Sequence, residues 1–103
     1  MFYAVNRFTV DANRSDEFLK VWKERDSHLK EIEGYISFKM LKGRVKEDKV
    51  LFVSQTLWKD EESFAAWTPS EQFKKPHGKN KMPSGVILGP PAFEAYNIVL
   101  EEN

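Results

Sequence analysis

Residues 50–58 read Val-Leu-Phe-Val-Ser-Gln-Thr-Leu-Trp, and this stretch decides the fold. Its β-branched and aromatic residues predict a strand. The first half is apolar on both faces, because Val50 and Phe52 point to one side and Leu51 and Val53 to the other. The stretch therefore predicts a sheet that carries helices on one face and needs a second cover on the other.

Working outward, the preceding sequence supplies two more strands and a helix. Residues 35–41 alternate polar and apolar side chains and predict a neighbouring strand, joined to the first by a polar turn at residues 43–48. Residues 2–9 are rich in β-formers and predict another strand. Between these strands, long and apolar side chains recur at spacings of four and three, which predicts an amphipathic helix ending near Gly34. They are Phe18, Trp22, Arg25, Leu29 and Ile32.

The following sequence predicts a second helical region and a closing strand. Asp60 is a candidate N-cap for a short helix through Trp67. Residues 68–71 form a capping box with proline at the first helical position, so a further helix is expected to start there. Residues 76–91 hold four prolines and three glycines and predict a long loop, and residues 93–100 predict the last strand.

The predicted order is β-α-β-β-α-β, which is the ferredoxin-like arrangement of the α+β class with an antiparallel sheet. We expect residues 1–103 to form one such domain, because the length suits a single domain. Helices cover only one face of this sheet. A homodimer packed sheet to sheet is the simplest cover for the other face, and at this length the extra burial favours it.

Composition narrows the function classes. Sixteen basic and sixteen acidic residues give zero net charge, which argues against a general nucleic-acid or membrane-surface binder. The chain has no cysteine, so disulfides, thiolate metal sites and cysteine nucleophiles are excluded. No apolar run approaches the ~20 residues that a membrane span needs, and no signal peptide is recognisable. The expected location is the cytoplasm.

Asn6 is unusual because asparagine is disfavoured within strands. Period two places it on the face of Phe2, Ala4 and Phe8, so its amide is expected to be largely buried. A buried amide needs partners. Asn6 is therefore either a structural hydrogen-bonding residue or a polar group that faces a ligand pocket.

Trp67 and His77 are the other two candidates. Trp67 ends the first short helix, where it is either a core aromatic residue or part of a pocket wall. His77 follows Pro76 in a segment with four lysines and no acid, residues 74–81. No second ligand at zinc spacing joins it, whereas haem needs only one protein ligand because the porphyrin supplies four nitrogens. The lysines are either a solvated loop or a positive field suited to an anionic cofactor such as haem.

These residues resemble the IsdG-like haem-degrading monooxygenases, within the antibiotic biosynthesis monooxygenase superfamily. The similarity runs along nearly the whole chain, and its most specific part is the set Asn6, Trp67 and His77. The matching segments also include residues 6–9, Ile32-Glu33-Gly34-Tyr35, Trp58-Lys59, Phe64, Ser70 and Phe73-Lys74. Of these, the Glu-Gly-aromatic turn and the segment from Trp58 to Trp67 occur widely in the superfamily and indicate the fold.

The resemblance implies a dimeric β-barrel in which each chain binds its own haem. His77 would be the axial ligand of the haem iron, Asn6 would donate a hydrogen bond to the oxygen activated there, and Trp67 would press on the porphyrin. Phe73 would also contact the haem. Haem would be substrate and oxygen activator at once, and an external electron donor would be required, since no dinucleotide fingerprint is present. Pro76 disfavours helical geometry at Lys75, which places His77 at a kink or in a loop.

Two other functions fit the same sequence. A cofactor-independent monooxygenase acting on a quinol or anthrone would need the same fold without iron. A non-enzymatic haem carrier or sensor would bind haem without degrading it.

Overall fold

In the described part of the chain, four strands form one antiparallel sheet. Strand β1 spans Phe2–Asp11, β2 spans Tyr35–Lys46, β3 spans Lys49–Trp58 and β4 spans Ala92–Asn97. Their order in the sheet is β2-β3-β1-β4, and every neighbouring pair is antiparallel. The computed structural model describes residues 1–25, 29–67 and 82–103.

The described residues also form two α-helices. Helix α1 spans Ser15–Glu24 and α2 spans Glu61–Trp67, while short 3₁₀ helices cover Ala12–Arg14 and Leu29–Glu31. The order β-α-β-β-α-β and the antiparallel sheet confirm the predicted α+β, ferredoxin-like fold. None of the described helices is long and apolar enough to cross a membrane.

Aspartate side chains start both helical segments. Asp11 accepts a hydrogen bond from the backbone N–H of Asn13 at 3.0 Å and begins the 3₁₀ turn before α1. Asp60 accepts from both the backbone N–H and the hydroxyl of Ser63 at 2.8 Å, which confirms it as the N-cap of α2. These hydrogen bonds hold the pKa of Asp60 below its usual range.

The first helix is shorter than predicted. It ends at Glu24, because Arg25 has extended backbone angles, φ −67° and ψ 145°. The residues whose spacing predicted one helix through Ile32 belong to two separate segments. Helix α1 buries Phe18 in the first cluster of the core, and the following 3₁₀ turn buries Leu29 in the second. The prediction of one continuous helix to Gly34 was therefore wrong.

The hairpin between β2 and β3 is also tighter than the predicted turn at residues 43–48. The turn consists of Glu47 and Asp48, which both have positive φ, and Lys46 already pairs with Lys49. Two positive φ values are the geometry of a two-residue hairpin turn that matches strand twist. Gly43 lies within β2, at an irregularity in the pairing.

Gly34 joins the 3₁₀ turn to β2 at a position that only glycine suits. Its φ is +90°, and a Cβ there would collide with the side chain of Ser63 at the start of α2. Its carbonyl accepts a hydrogen bond from the backbone N–H of Lys59 at 2.7 Å. This close approach ties the entry of β2 to the exit of β3.

Apart from Val5, which lies on the opposite face, the buried apolar residues form two clusters on the face of the sheet covered by α1 and α2, here called the inner face. The first contains Phe18 of α1 with the β1 and β3 residues Phe8, Val10, Val50 and Phe52, together with Val86. The second contains Phe2, Ala4, Leu29 and Trp58, with Phe64 and Trp67 of α2 packed against it.

The last strand is shorter than predicted, since it ends at Asn97, and Val99 and Leu100 are exposed. The described part of the long loop is anchored to β1. Val86 is fully buried, its carbonyl accepts from Asp11 N–H, and Leu88 N–H donates to Thr9.

Candidate functional site

The two central strands share a pattern of side-chain size on the inner face. Along β1 this face carries Phe2, Ala4, Asn6 and Phe8, and along β3 it carries Trp58, Thr56, Ser54 and Phe52. These residues pair across the strands in the same order. Both strands therefore present large aromatic side chains at the ends and small ones in the middle.

The four small residues in the middle are here called the floor: Ala4, Asn6, Ser54 and Thr56. Ala4 pairs with Thr56 and Asn6 pairs with Ser54. About 20 Å of strand separates Phe2 from Phe8, given about 3.4 Å per residue. Between these aromatic ends the four floor side chains are small, and three of them are polar.

One side of the floor is walled by aromatic residues of α1. Phe18 packs on Phe52 with ring centroids 4.6 Å apart, and Trp22 lies edge-on to Phe8 at 5.6 Å. Trp22 also stacks on Phe38 of β2 at 5.8 Å and 14°.

The other side is walled by aromatic residues of α2. Phe64 lies 5.4 Å from Phe2 and stacks on Phe93 of β4 at 5.7 Å and 10°. Trp67 lies 5.5 Å from Trp58 and 6.3 Å from Phe64, also between ring centroids. The helices thus bound the floor on two sides with flat, apolar surfaces.

Asn6 lies in the floor, between the two apolar clusters. It is half-buried, less than the largely buried amide that the sequence predicts. Its neighbour on β4, Phe93, is about half exposed, which accounts for this difference. No hydrogen bond engages the Asn6 amide within the described part of the chain.

Trp67 lies on the same face as Asn6. It packs against the cluster that contains Ala4, the residue next to Asn6 on the inner face of β1. Phe64 links the two positions, because it contacts Trp67 on one side and Phe93, the strand partner of Asn6, on the other. The structure therefore places these two predicted site residues on the same side of the sheet, linked through Phe64 and Phe93.

The other two predicted site residues, Phe73 and His77, lie outside the described residues. The same holds for the helix predicted to start at residues 68–71. Within the described residues, no group of three or more His, Cys, Asp or Glu side chains comes together as a metal site.

A cation packs on aromatic side chains of α1 and β2. The guanidinium carbon of Arg25 lies 4.5 Å from the ring centroid of Trp22 and 4.6 Å from that of Phe38. Burial lowers the pKa of Arg25 from its usual range, although an arginine stays charged. None of the described carboxylates pairs with it. Within the described ranges, the Arg25 guanidinium packs on these two ring faces and forms no ion pair.

The sequence reading missed three of these features. Ser54 and Thr56 are small polar residues on the face of Phe52 and Trp58, so the large-small-small-large pattern at period two was visible in residues 50–58. Arg25 was read only as one position of a helical stripe. A long cation within an otherwise apolar stripe is the signal that could have marked it.

A family model described as antibiotic biosynthesis monooxygenase matches residues 1–79. A comparison with curated proteins finds no match. Several solved structures share the fold. A Bacillus cereus protein described as an antibiotic biosynthesis monooxygenase is 21% identical, with a TM-score of 0.84 over 100% of this chain and 95% of that one.

Two further structures have contrasting chemistry. MhuD of Mycobacterium tuberculosis, a haem degrader solved with two haems in its active site, is 24% identical with a TM-score of 0.76, over 100% of both chains. SnoaB of Streptomyces nogalater, a cofactor-independent oxygenase, is 16% identical with a TM-score of 0.63, over 97% of this chain and 94% of that one. At these identities, the likeness shows the fold.

The family model extends over most of the chain, and its range includes Asn6, Trp67 and His77. The solved structures share the overall fold of this chain. The chain belongs to the antibiotic biosynthesis monooxygenase family.

Proposed function

We propose that this protein binds haem as its substrate and opens the porphyrin ring oxidatively, releasing the iron. The observation that carries the proposal is the floor of small, partly polar side chains between two aromatic walls. A flat, largely apolar ring system with a reactive centre suits such a space, because the walls offer stacking surfaces and the floor offers hydrogen-bonding groups.

Asn6 is the proposed donor at the reaction centre. Its amide lies on the floor with no partner in the described residues. A fixed N–H donor stabilises an oxygen that gains negative charge, and it is most effective where water is excluded. The aromatic walls supply that exclusion.

Trp67, His77 and Phe73 complete the proposed site. Trp67 belongs to the α2 wall, where its bulky indole restricts the space above the floor and favours a bent porphyrin over a flat one. The resemblance to IsdG-like enzymes supports His77 as the axial iron ligand and Phe73 as a haem contact. A single imidazole is sufficient because the porphyrin supplies the other four nitrogens.

Arg25 is the proposed partner for a haem carboxylate. Its charge is held over Trp22 and Phe38 without a described carboxylate. A carboxylate that reaches it would form a charge-assisted hydrogen bond. This ion pair would direct the carboxylate-bearing edge of the porphyrin toward β2.

The electrons for the reaction are proposed to come from an external reductant, because the chain has no dinucleotide fingerprint of its own.

The proposed location is the cytoplasm, because the absence of cysteine suits a reducing compartment.

A homodimer is proposed to cover the outer face of the sheet, opposite the helices. Leu41 and Val53 form a cross-strand pair there, as do Tyr3 and Tyr96. Leu41 is 43% exposed and Tyr96 is 52% exposed, so apolar surface remains open on this face. A second copy with the same apolar face would bury it by two-fold symmetry.

The Val53→Lys variant is expected to be monomeric, because it places a charge at the centre of the proposed interface. Sedimentation velocity measures the change against a dimeric wild-type chain. The Asn13→Lys variant adds the same charge at an exposed position before α1 and is expected to stay dimeric. A wild-type chain that sediments as a monomer would contradict the dimer.

A haem titration followed by a reductant challenge tests the proposed function. We expect a Soret band on adding haem, and loss of that band with release of chelatable iron when ascorbate is added under air. The Trp67→Phe variant is expected to bind haem and degrade it more slowly.

Three other outcomes are distinguishable in the same experiment. Stable haem under reductant and air would indicate a carrier or sensor. Failure to bind haem, combined with oxygen uptake on a quinol, would indicate a cofactor-independent monooxygenase. A chain that binds neither haem nor a quinol would contradict the proposed function and both alternatives.

A further inference from the structure

Ser54 occupies the centre of the sheet. It pairs with Asn6 of β1 on one side and with Met40 of β2 on the other. Directly paired residues in antiparallel strands have Cβ atoms about 4.5–5.5 Å apart. The Ser54 hydroxyl and the Asn6 amide therefore lie within reach of each other, on the same face.

Ser54 is buried and its hydroxyl has no partner in the described residues. Only 3% of the residue is exposed, and it is one of two buried polar residues in this part of the chain. The other, Ser15, donates to the Ala12 carbonyl at 3.0 Å. No such bond engages Ser54 in the described part of the chain. The Ser54 hydroxyl makes no hydrogen bond among the described residues and stands next to the Asn6 amide, which makes none there either, so each group can serve as a partner for the other.

The geometry points to Ser54 as a positioning residue for Asn6. In the ligand-bound state, the Ser54 hydroxyl donates a hydrogen bond to Asn6 Oδ1, which turns the Asn6 Nδ2–H toward the ligand. This inference rests on the proposed function, because it concerns the direction in which Asn6 presents its donor.

Orientation matters because the two ends of a carboxamide have opposite polarity. Nδ2 donates and Oδ1 accepts, so a reversed amide would repel an oxygen that gains negative charge. A strand backbone does not select either orientation. A neighbouring hydroxyl that donates to Oδ1 does select one, and among the floor residues Ser54 is the direct strand partner of Asn6.

The Ser54→Thr and Ser54→Val variants form a matched test, since threonine and valine have nearly the same shape and differ in the hydroxyl. We expect Ser54→Thr to retain most of the wild-type ring-opening rate and Ser54→Val to lose about tenfold, the effect of one hydrogen bond. The Ser54→Ala variant, which adds no volume, is expected to match Ser54→Val and serves if valine disturbs folding.

The C–O stretching frequency of carbon monoxide bound to the ferrous haem complex gives a readout that a structural role would not move. A donor facing the oxygen of carbon monoxide lowers this frequency. We expect Asn6→Ala to raise it, Ser54→Val to raise it part of the way, and Ser54→Thr to leave it near the wild-type value. Asn6→Ala/Ser54→Val should equal Asn6→Ala alone, because the two residues act as one unit.

Two results would overturn the inference while leaving the proposed function intact. In the first, Ser54→Val has the wild-type ring-opening rate and C–O stretching frequency. In the second, Ser54→Thr and Ser54→Val change the rate and the frequency by the same amount. A wild-type chain that shows no Soret band would overturn the proposed function, and this inference with it. If the chain binds haem without degrading it, the C–O stretching frequencies can still be measured, and they alone then test the inference.

Discussion

The His77→Ala variant is expected to lose haem degradation. In the proposed site His77 is the one protein ligand of the haem iron, so its loss removes the attachment that fixes the ring over the floor. Mutating a residue that hydrogen-bonds to a metal ligand typically lowers metal affinity or activity 10–100-fold. We expect the loss of the ligand itself to lower the rate of haem degradation more than about 100-fold. Single-turnover decay of the Soret band with ascorbate under air measures the effect.

The control for this variant is His28→Ala, because His28 is the only other histidine in the chain. We expect His28→Ala to degrade haem at the wild-type rate. Added imidazole is expected to restore part of the spectrum of His77→Ala, since a free ligand can occupy the vacated position. Ring opening retained in His77→Ala would refute the assignment of the axial ligand.

The Asn6→Ala variant is expected to bind haem and to open the ring about 100–1,000-fold more slowly, the usual effect of removing one donor to an oxygen that gains charge. Haem affinity should change little, because the walls and the axial ligand are intact. Comparing the affinity from titration with the single-turnover rate separates the two effects.

Thr56→Val provides the matched control for Asn6→Ala, since Thr56 also lies on the floor and pairs with Ala4 instead of Asn6. It removes a polar group from the same surface without touching the proposed donor. We expect its rate to stay close to that of the wild-type chain. Equal losses in both variants would mean that the polarity of the floor matters and the position of Asn6 does not.

The order of helices and strands along the chain and the inner face of the sheet could be predicted because both depend on local patterns. The β-formers in residues 2–9 and residues 50–58 alternate faces at period two, so Asn6 could be placed beside Phe8 without coordinates. Asp60 could be recognised as an N-cap because capping needs only a side chain and the next turn of backbone.

The features that sequence reading missed depend on contacts between distant residues. The end of α1 at Glu24 accompanies the folding of Arg25 over Trp22 and Phe38, and Phe38 belongs to the next strand. The pairing of Ser54 with Asn6 depends on the register of β1 and β3, which are separated by about half of the chain. Neither relation is local, so spacing alone could not reveal it.

The split core has a consequence for folding equilibria. The floor interrupts the buried apolar surface at the middle of the sheet, where a continuous core would gain the most free energy from burial. A ligand that fills this gap binds the folded chain and not the unfolded one. At a concentration 100 times its dissociation constant, such a ligand would stabilise the native state by about 2.7 kcal/mol, a large share of the stability of a domain this small. In the proposed function, haem would supply the missing part of the interior, and its breakdown would return the protein to a less stable form.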